Sequence, residues 1–147
     1  MMMKTVGFLI SHKENENRRA LIPENLADFT YPDKLYFEQG YGEIMAIADS
    51  AYMKAGCNVV SRKEALQQDI ICDPKVGNSE YLPELGKGQV VFGWIHAVQN
   101  KDIAGALVKN QLTAYAWEDM DECGRNAFWR NNEIAGEAAI LHALTCH

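Results

Sequence analysis

The chain has 147 residues, enough for one domain with a proper core and too few for two of ordinary size. It is 48% hydrophobic and 23% charged, as globular proteins are; a net charge of −6 and the lack of any lysine- or arginine-rich run argue against a nucleic-acid partner. No stretch approaches the roughly 18 apolar residues of a membrane span, and the short apolar run after the opening methionines leads into charge instead of a cleavage site, so a cytoplasmic protein is expected.

Thr5–Ile10 is a continuous apolar run, the pattern of a strand covered on both faces. The polar segment His12–Pro23 follows it and sets two guanidiniums, Arg18 and Arg19, just past a strand end, where open α/β sheets place ligand sites. An arginine fork there matches a carboxylate or phosphate in two-point contact, although a solvated turn accounts for the spacing equally well. Pro23 suits the first turn of a helix through Phe29. Lys34–Glu38 is a second strand. Gly40-Tyr41-Gly42 precedes a helix but has Met45 where a dinucleotide fingerprint needs a small residue, so the glycines are taken as turn residues. Asp49 is expected to cap a helix Ser50–Ala55, which Gly56 ends, and Cys57–Val60 is a third strand.

Ser61-Arg62-Lys63-Glu64 has the capping-box pattern and opens a helix through about Gln68. Asp69–Cys72 is a fourth strand, stopped by Pro74, and Lys75 stands just beyond its end. An ammonium there is either a surface charge or a group that pairs with a carboxylate or polarises a carbonyl. Val90–Ile95 is the strongest strand, and alternation puts Trp94 and His96 on one side. Imidazole is the usual proton carrier near neutral pH; a hydrogen-bonded structural histidine is the plainer alternative. Asn100 caps a helix to about Asn110, Leu112–Trp117 is a further strand, and Asn132–Leu144 a closing helix. Glu118, at the end of that last strand, can orient a base, bind a substrate ammonium or cap a turn.

The alternation predicts an α/β fold: a doubly wound, mainly parallel sheet in three layers, Rossmann-like or flavodoxin-like, forming a single domain over residues 1–147. Arg18, Lys75, His96 and Glu118 each follow a predicted strand, so all four can converge at one edge of the sheet. Cys57, Cys72, Cys123 and Cys146 contain no C-x-x-C pair, and His96, His142, His147 and Cys146 lack zinc-ligand spacing; no metal is expected.

Several segments together resemble the alanine dehydrogenase and pyridine nucleotide transhydrogenase family, which includes saccharopine dehydrogenase. They are Lys13-Glu14, Glu16–Pro23, Lys75, Trp94-Ile95-His96, Trp117-Glu118 and Glu133-Ile134-Ala135-Gly136. Phe92–Asn100 and Arg130–Glu137 look closest to its opine-forming branch, the N5-(carboxyethyl)ornithine synthases. The resemblance implies an enzyme that condenses pyruvate with the side-chain amine of ornithine or lysine and reduces the imine with NADP or NAD. On it, Arg18 holds the keto-acid carboxylate, Lys75 polarises or positions the carbonyl, His96 transfers the proton, and Trp94 and Glu118 contact substrate. Trp94 stands where alanine dehydrogenases have tyrosine, which points away from the small-substrate deaminases. Alanine dehydrogenase or saccharopine dehydrogenase activity is the alternative within enzymes; a stand-alone keto-acid or amino-acid binding module is the alternative outside them. The dinucleotide domain expected after about residue 140 is not in this sequence, so the fragment is expected to bind no cofactor and to be inactive, within a parent that is a homo-oligomer.

Overall fold

Val6–Phe8 (β1) lies at the centre of a six-stranded sheet, paired on both sides. The computed structural model describes residues 4–146; the opening methionines weighed as a leader, and His147 weighed as a zinc ligand, lie outside the described residues. The other strands are Leu35–Glu38 (β2), Asn58–Val60 (β3), Ile70–Cys72 (β4), Val90–Gly93 (β5) and Thr113–Ala116 (β6). Their order is β3-β2-β1-β4-β5-β6 and every pairing is parallel. This is the Rossmann order, with its switch point between β1 and β4, so the flavodoxin-like alternative is set aside.

Successive residues of β1 serve opposite faces, as strand geometry requires. Phe8 joins a core of Phe37, Tyr41, Tyr52 and Trp117; Leu9, next along, joins a core of Ile71, Val91, Ile95 and Ile103. Helix Asp49–Lys54 (α1) contributes Tyr52 to the first layer, while Arg62–Ala65 (α2) and Lys101–Lys109 (α3) contribute Ala65 and Ile103 to the second. Gly7 permits the approach of α2: a Cβ there would lie 2.1 Å from the Ala65 carbonyl oxygen.

The capping box on Ser61 and the Asn100 cap both form. Other local expectations need correcting. Asp49 does not cap α1; its carboxylate instead accepts the N–H of Gly40, which has φ of +80°. The Pro23 segment closes as a single 3₁₀ turn, Pro23–Leu26, since only Leu26 is buried and Phe29 faces solvent. Helix α2 ends at Ala65 because the chain must reach β4 within four residues. A hairpin of Asp121–Glu122 (β7) and Arg125–Asn126 (β8) was not expected; Cys123 and Gly124, with φ of 52° and 79°, make its two-residue turn. The last helix, Trp129–Thr145 (α4), buries no side chain. Among the described residues no helix is long and apolar enough to cross a membrane, and no three His, Cys, Asp or Glu side chains form a metal cluster. All four cysteines are free.

Candidate active site at the carboxyl edge of the sheet

The loop leaving β1 carries the first cations, and both its ends are pinned. At its start the Glu38 carboxylate accepts the Ile10 N–H at 2.8 Å, while Arg62 donates to the Ile10 carbonyl at 3.0 Å and to Glu38 at 2.9 Å. Arg62 also reaches Glu80, which pairs with His12. At its end the Tyr41 hydroxyl accepts the Ala20 N–H at 2.8 Å, and Arg19 donates to the Tyr41 carbonyl and lies over its ring. Arg19 is thereby committed to the scaffold.

Arg18 has other partners, although both arginines line one cavity. Its Nε and Nη2 form a fork onto Glu16, and Nη1 donates to Asn131 at the start of α4, at 2.7 Å. A guanidinium has five N–H donors, so one remains on each terminal nitrogen for an anion. Burial works to raise the Glu16 carboxyl, but the Arg18 bonds and the Lys75 charge outweigh it and hold it below its ordinary value.

Lys75 leaves β4 through a turn built on Asp73, which is fully buried. One Asp73 oxygen accepts the Lys75 N–H and the other the Tyr81 hydroxyl, both at 2.7 Å. Burial, then the charge of Arg18, pushes the Lys75 ammonium below its ordinary pKa, with Glu16 and Glu118 opposing and Lys13 adding to the shift. A cation so destabilised gains by meeting a carboxylate or by yielding its proton.

Trp94 and His96 follow β5 with rings nearly parallel, 12° apart, at a centroid distance of 6.3 Å. Trp94 is edge-on to Trp117 and Phe128. Glu118, after β6, accepts the N–H groups of Ile95 and His96, and its Oε1 lies 3.8 Å from His96 Nδ1. Burial raises the Glu118 carboxyl; those N–H donors and the His96 charge bring it below its ordinary value. A cavity of about 200 Å³ lies here, lined by Arg18, Arg19, Ala20, Pro74, Trp94, Trp117, Phe128 and Asn131; Lys75, His96 and Glu118 are not among its lining residues. The structure places Arg18, Lys75, Trp94, His96 and Glu118 beyond the carboxyl ends of β1, β4, β5 and β6; of these Arg18 and Trp94 line the cavity, while Lys75 feels the charges of Arg18 and Glu118. Glu16, Asp73 and Asn131 are additions to that set. The Glu-x-Arg and Asp-Pro-Lys spacings are local signals for the first two; Asn131 lies 113 residues from Arg18 and gives none.

Residues 11–135 match the family described as alanine dehydrogenase/PNT, N-terminal domain. The N(5)-(carboxyethyl)ornithine synthase of Clostridium botulinum is 30% identical over 95% of this chain and 48% of its own length. The Lactococcus lactis protein of that name is 27% identical, and the alanine dehydrogenase of Methanococcus maripaludis is 29% identical over 87% of this chain and 36% of its own length. The chain thus spans about half the length, or less, of the curated relatives it matches. An L-alanine dehydrogenase structure superposes with a TM-score of 0.72 at 23% identity, covering 82% of this chain and 34% of that one. The Sinorhizobium meliloti transhydrogenase does so with 0.69 at 24%, covering 81% and 36%. The fold is shared with both, and the chain belongs to the alanine dehydrogenase/PNT family through its N-terminal domain.

Proposed function

We propose that this chain is the substrate-holding domain of a nicotinamide-dependent oxidoreductase, one that condenses pyruvate with the side-chain amine of ornithine or lysine and reduces the imine. The observation that carries the reading is the pair of cations at one sheet edge: Arg18, with N–H donors to spare, and Lys75, destabilised as an ammonium beside it. Arg18 receives the keto-acid carboxylate in two-point contact. Lys75 polarises the carbonyl as the amine adds, and His96 moves protons as water leaves. Trp94 walls the site. Similarity to the carboxyethylornithine synthases favours this substrate pair over the alanine dehydrogenase alternative.

The residues present do not fit a dinucleotide. The loop after β1 is charged and opens no helix, and Gly40–Gly42 folds against its own neighbours, with a Cβ at Gly42 set 2.7 Å from the Ile47 carbonyl oxygen. NADP or NAD therefore belongs to another domain of the whole enzyme, and no hydride step is assigned to this chain. Free thiols support a cytoplasmic setting, and the exposed apolar side chains of α4 leave a surface for contacts within the whole enzyme, a homo-oligomer on this reading. On the purified chain, pyruvate should bind in the millimolar range and about tenfold more weakly in Arg18→Lys, which loses the fork. NADPH should not be oxidised with pyruvate plus ornithine. Unchanged affinity in Arg18→Lys, or turnover above background, contradicts the proposal.

A further inference from the structure

Strand β5 leaves its ladder at Gly93, the last residue paired with β6. The peptides beyond it need other partners, because buried backbone polar groups left unpaired are costly. Two neighbours supply them. Gly77 donates to the Trp94 carbonyl at 3.3 Å, and it comes so close for want of a side chain: a Cβ there would lie 1.9 Å from the Ile95 carbonyl oxygen. From the opposite side Glu118 accepts the Ile95 N–H on both oxygens, at 3.1 and 3.2 Å, and the His96 N–H on Oε1. His96 has φ of 58°, a left-handed conformation that a non-glycine residue keeps only when its surroundings hold it there. The chain reverses at this point, Gln99 donating to the His96 carbonyl at 3.1 Å, and the imidazole lies alongside Trp94.

We infer that Glu118 is a positioning residue for His96 and not a ligand of substrate; this rests on the proposed role of His96 in moving the proton. His96 Nδ1 is 3.8 Å from Oε1, beyond hydrogen-bond range though near enough for charge to act, so the hydrogen bonds of the carboxylate go to the backbone and not to the ring. Both Glu118 oxygens are engaged by N–H donors. A substrate ammonium competing for them would loosen the turn that presents the imidazole.

The sign of φ at His96 is read from its HN–Hα coupling and its Cα and Cβ shifts on the isotope-labelled 147-residue chain. The left-handed signature is expected in the wild-type chain and in Glu118→Gln, whose carbonyl oxygen still accepts both N–H groups. It should be lost in Glu118→Ala while the shifts of Val90–Gly93 stay in place. If Glu118→Ala does not fold, Glu118→Asp, one methylene too short, carries the same expectation. Binding of ornithine should change by no more than about twofold in any of these variants, as for a group outside the contact. A left-handed His96 retained in both the Ala and Asp variants, or ornithine binding weakened about tenfold in Glu118→Gln, overturns the inference. Should the wild-type chain bind neither pyruvate nor ornithine, the functional proposal fails while the His96 signature still decides the role of Glu118.

Discussion

Over strands β1 to β3 one face of the sheet is roofed by aromatic side chains in mutual contact; over β4 to β6 the cover on the same face is Trp94, Trp117 and Phe128, with an open groove beside it. Phe8 and Phe37 stack at 4.5 Å, and Tyr41 and Tyr52 close on Phe37 from the side. An apolar groove of about 560 Å³ spans the switch point, lined by Val6, Phe8 and Leu35 on one side and by Ile70, Val90, Phe92, Tyr115 and Phe128 on the other. Ile134, Ile140, Leu141 and Leu144 of α4 are all more than 60% exposed. The difference separates what holds this domain together from what it offers to others. The site lies on the seam, with Arg18 anchored to the packed half through its neighbour Arg19, and reaching Asn131 on the open half.

The comparison breaks most visibly by truncating one residue on each side. Phe37→Ala should cost about 3–5 kcal/mol in denaturant unfolding, because a fully buried ring leaves a cavity. Leu141→Ala should stay within about 0.5 kcal/mol of wild type. A comparable loss from Leu141→Ala would show α4 buried in a self-association contact, with a midpoint that depends on protein concentration.

Asp73 sharpens the comparison from the other half, since it is a buried carboxylate just beyond β4. Burial raises its carboxyl above the ordinary value, against the Lys75 N–H, the Tyr81 hydroxyl and the charge of Arg62. A raised folded value means that ionisation opposes folding: the penalty is absent below the unfolded value near 3.8 and grows as pH rises through the folded one. Asp73→Asn keeps an acceptor for Lys75 and offers Tyr81 a donor, so it should be more stable than wild type at neutral pH. That advantage should vanish as pH falls toward 3.8. A variant less stable at neutral pH would contradict it.

Glu16 carries the smallest effect and the opposite sign. Its lowered folded value contributes stability that is present above 4.5 and lost as pH falls through the depressed value. Because Arg18 is 42% exposed along its side chain, Glu16→Gln should cost only about 0.5–1 kcal/mol at neutral pH and nothing in acid. A pH-independent loss would show that shape and not charge holds the pair.

Much of this was legible in the sequence wherever one local pattern suffices. Apolar runs marked all six strands of the large sheet, and Ser61 with Glu64, like Asn100, announced their helices through side chains that reach their own backbone. What lay hidden was decided at long range. Asp49 had a more useful partner in the Gly40 N–H than in its own helix. The backbone partners of Glu118 lay hidden because nothing nearby in sequence reveals that the ladder ends at Gly93 and leaves two N–H groups across the gap. The resemblance supplied roles for Arg18, Lys75 and His96, and their places after predicted strands already pointed to one edge of the sheet.

The central claim is that this edge receives a keto acid. A crystal structure of the chain soaked with pyruvate tests it most directly. The account predicts the carboxylate on the Arg18 terminal nitrogens and the carbonyl oxygen toward Lys75, with His96 beside it. Pyruvate seated instead in the cavity by Gly40 and Asp49, or absent from the Arg18 edge at saturating concentration, would contradict it.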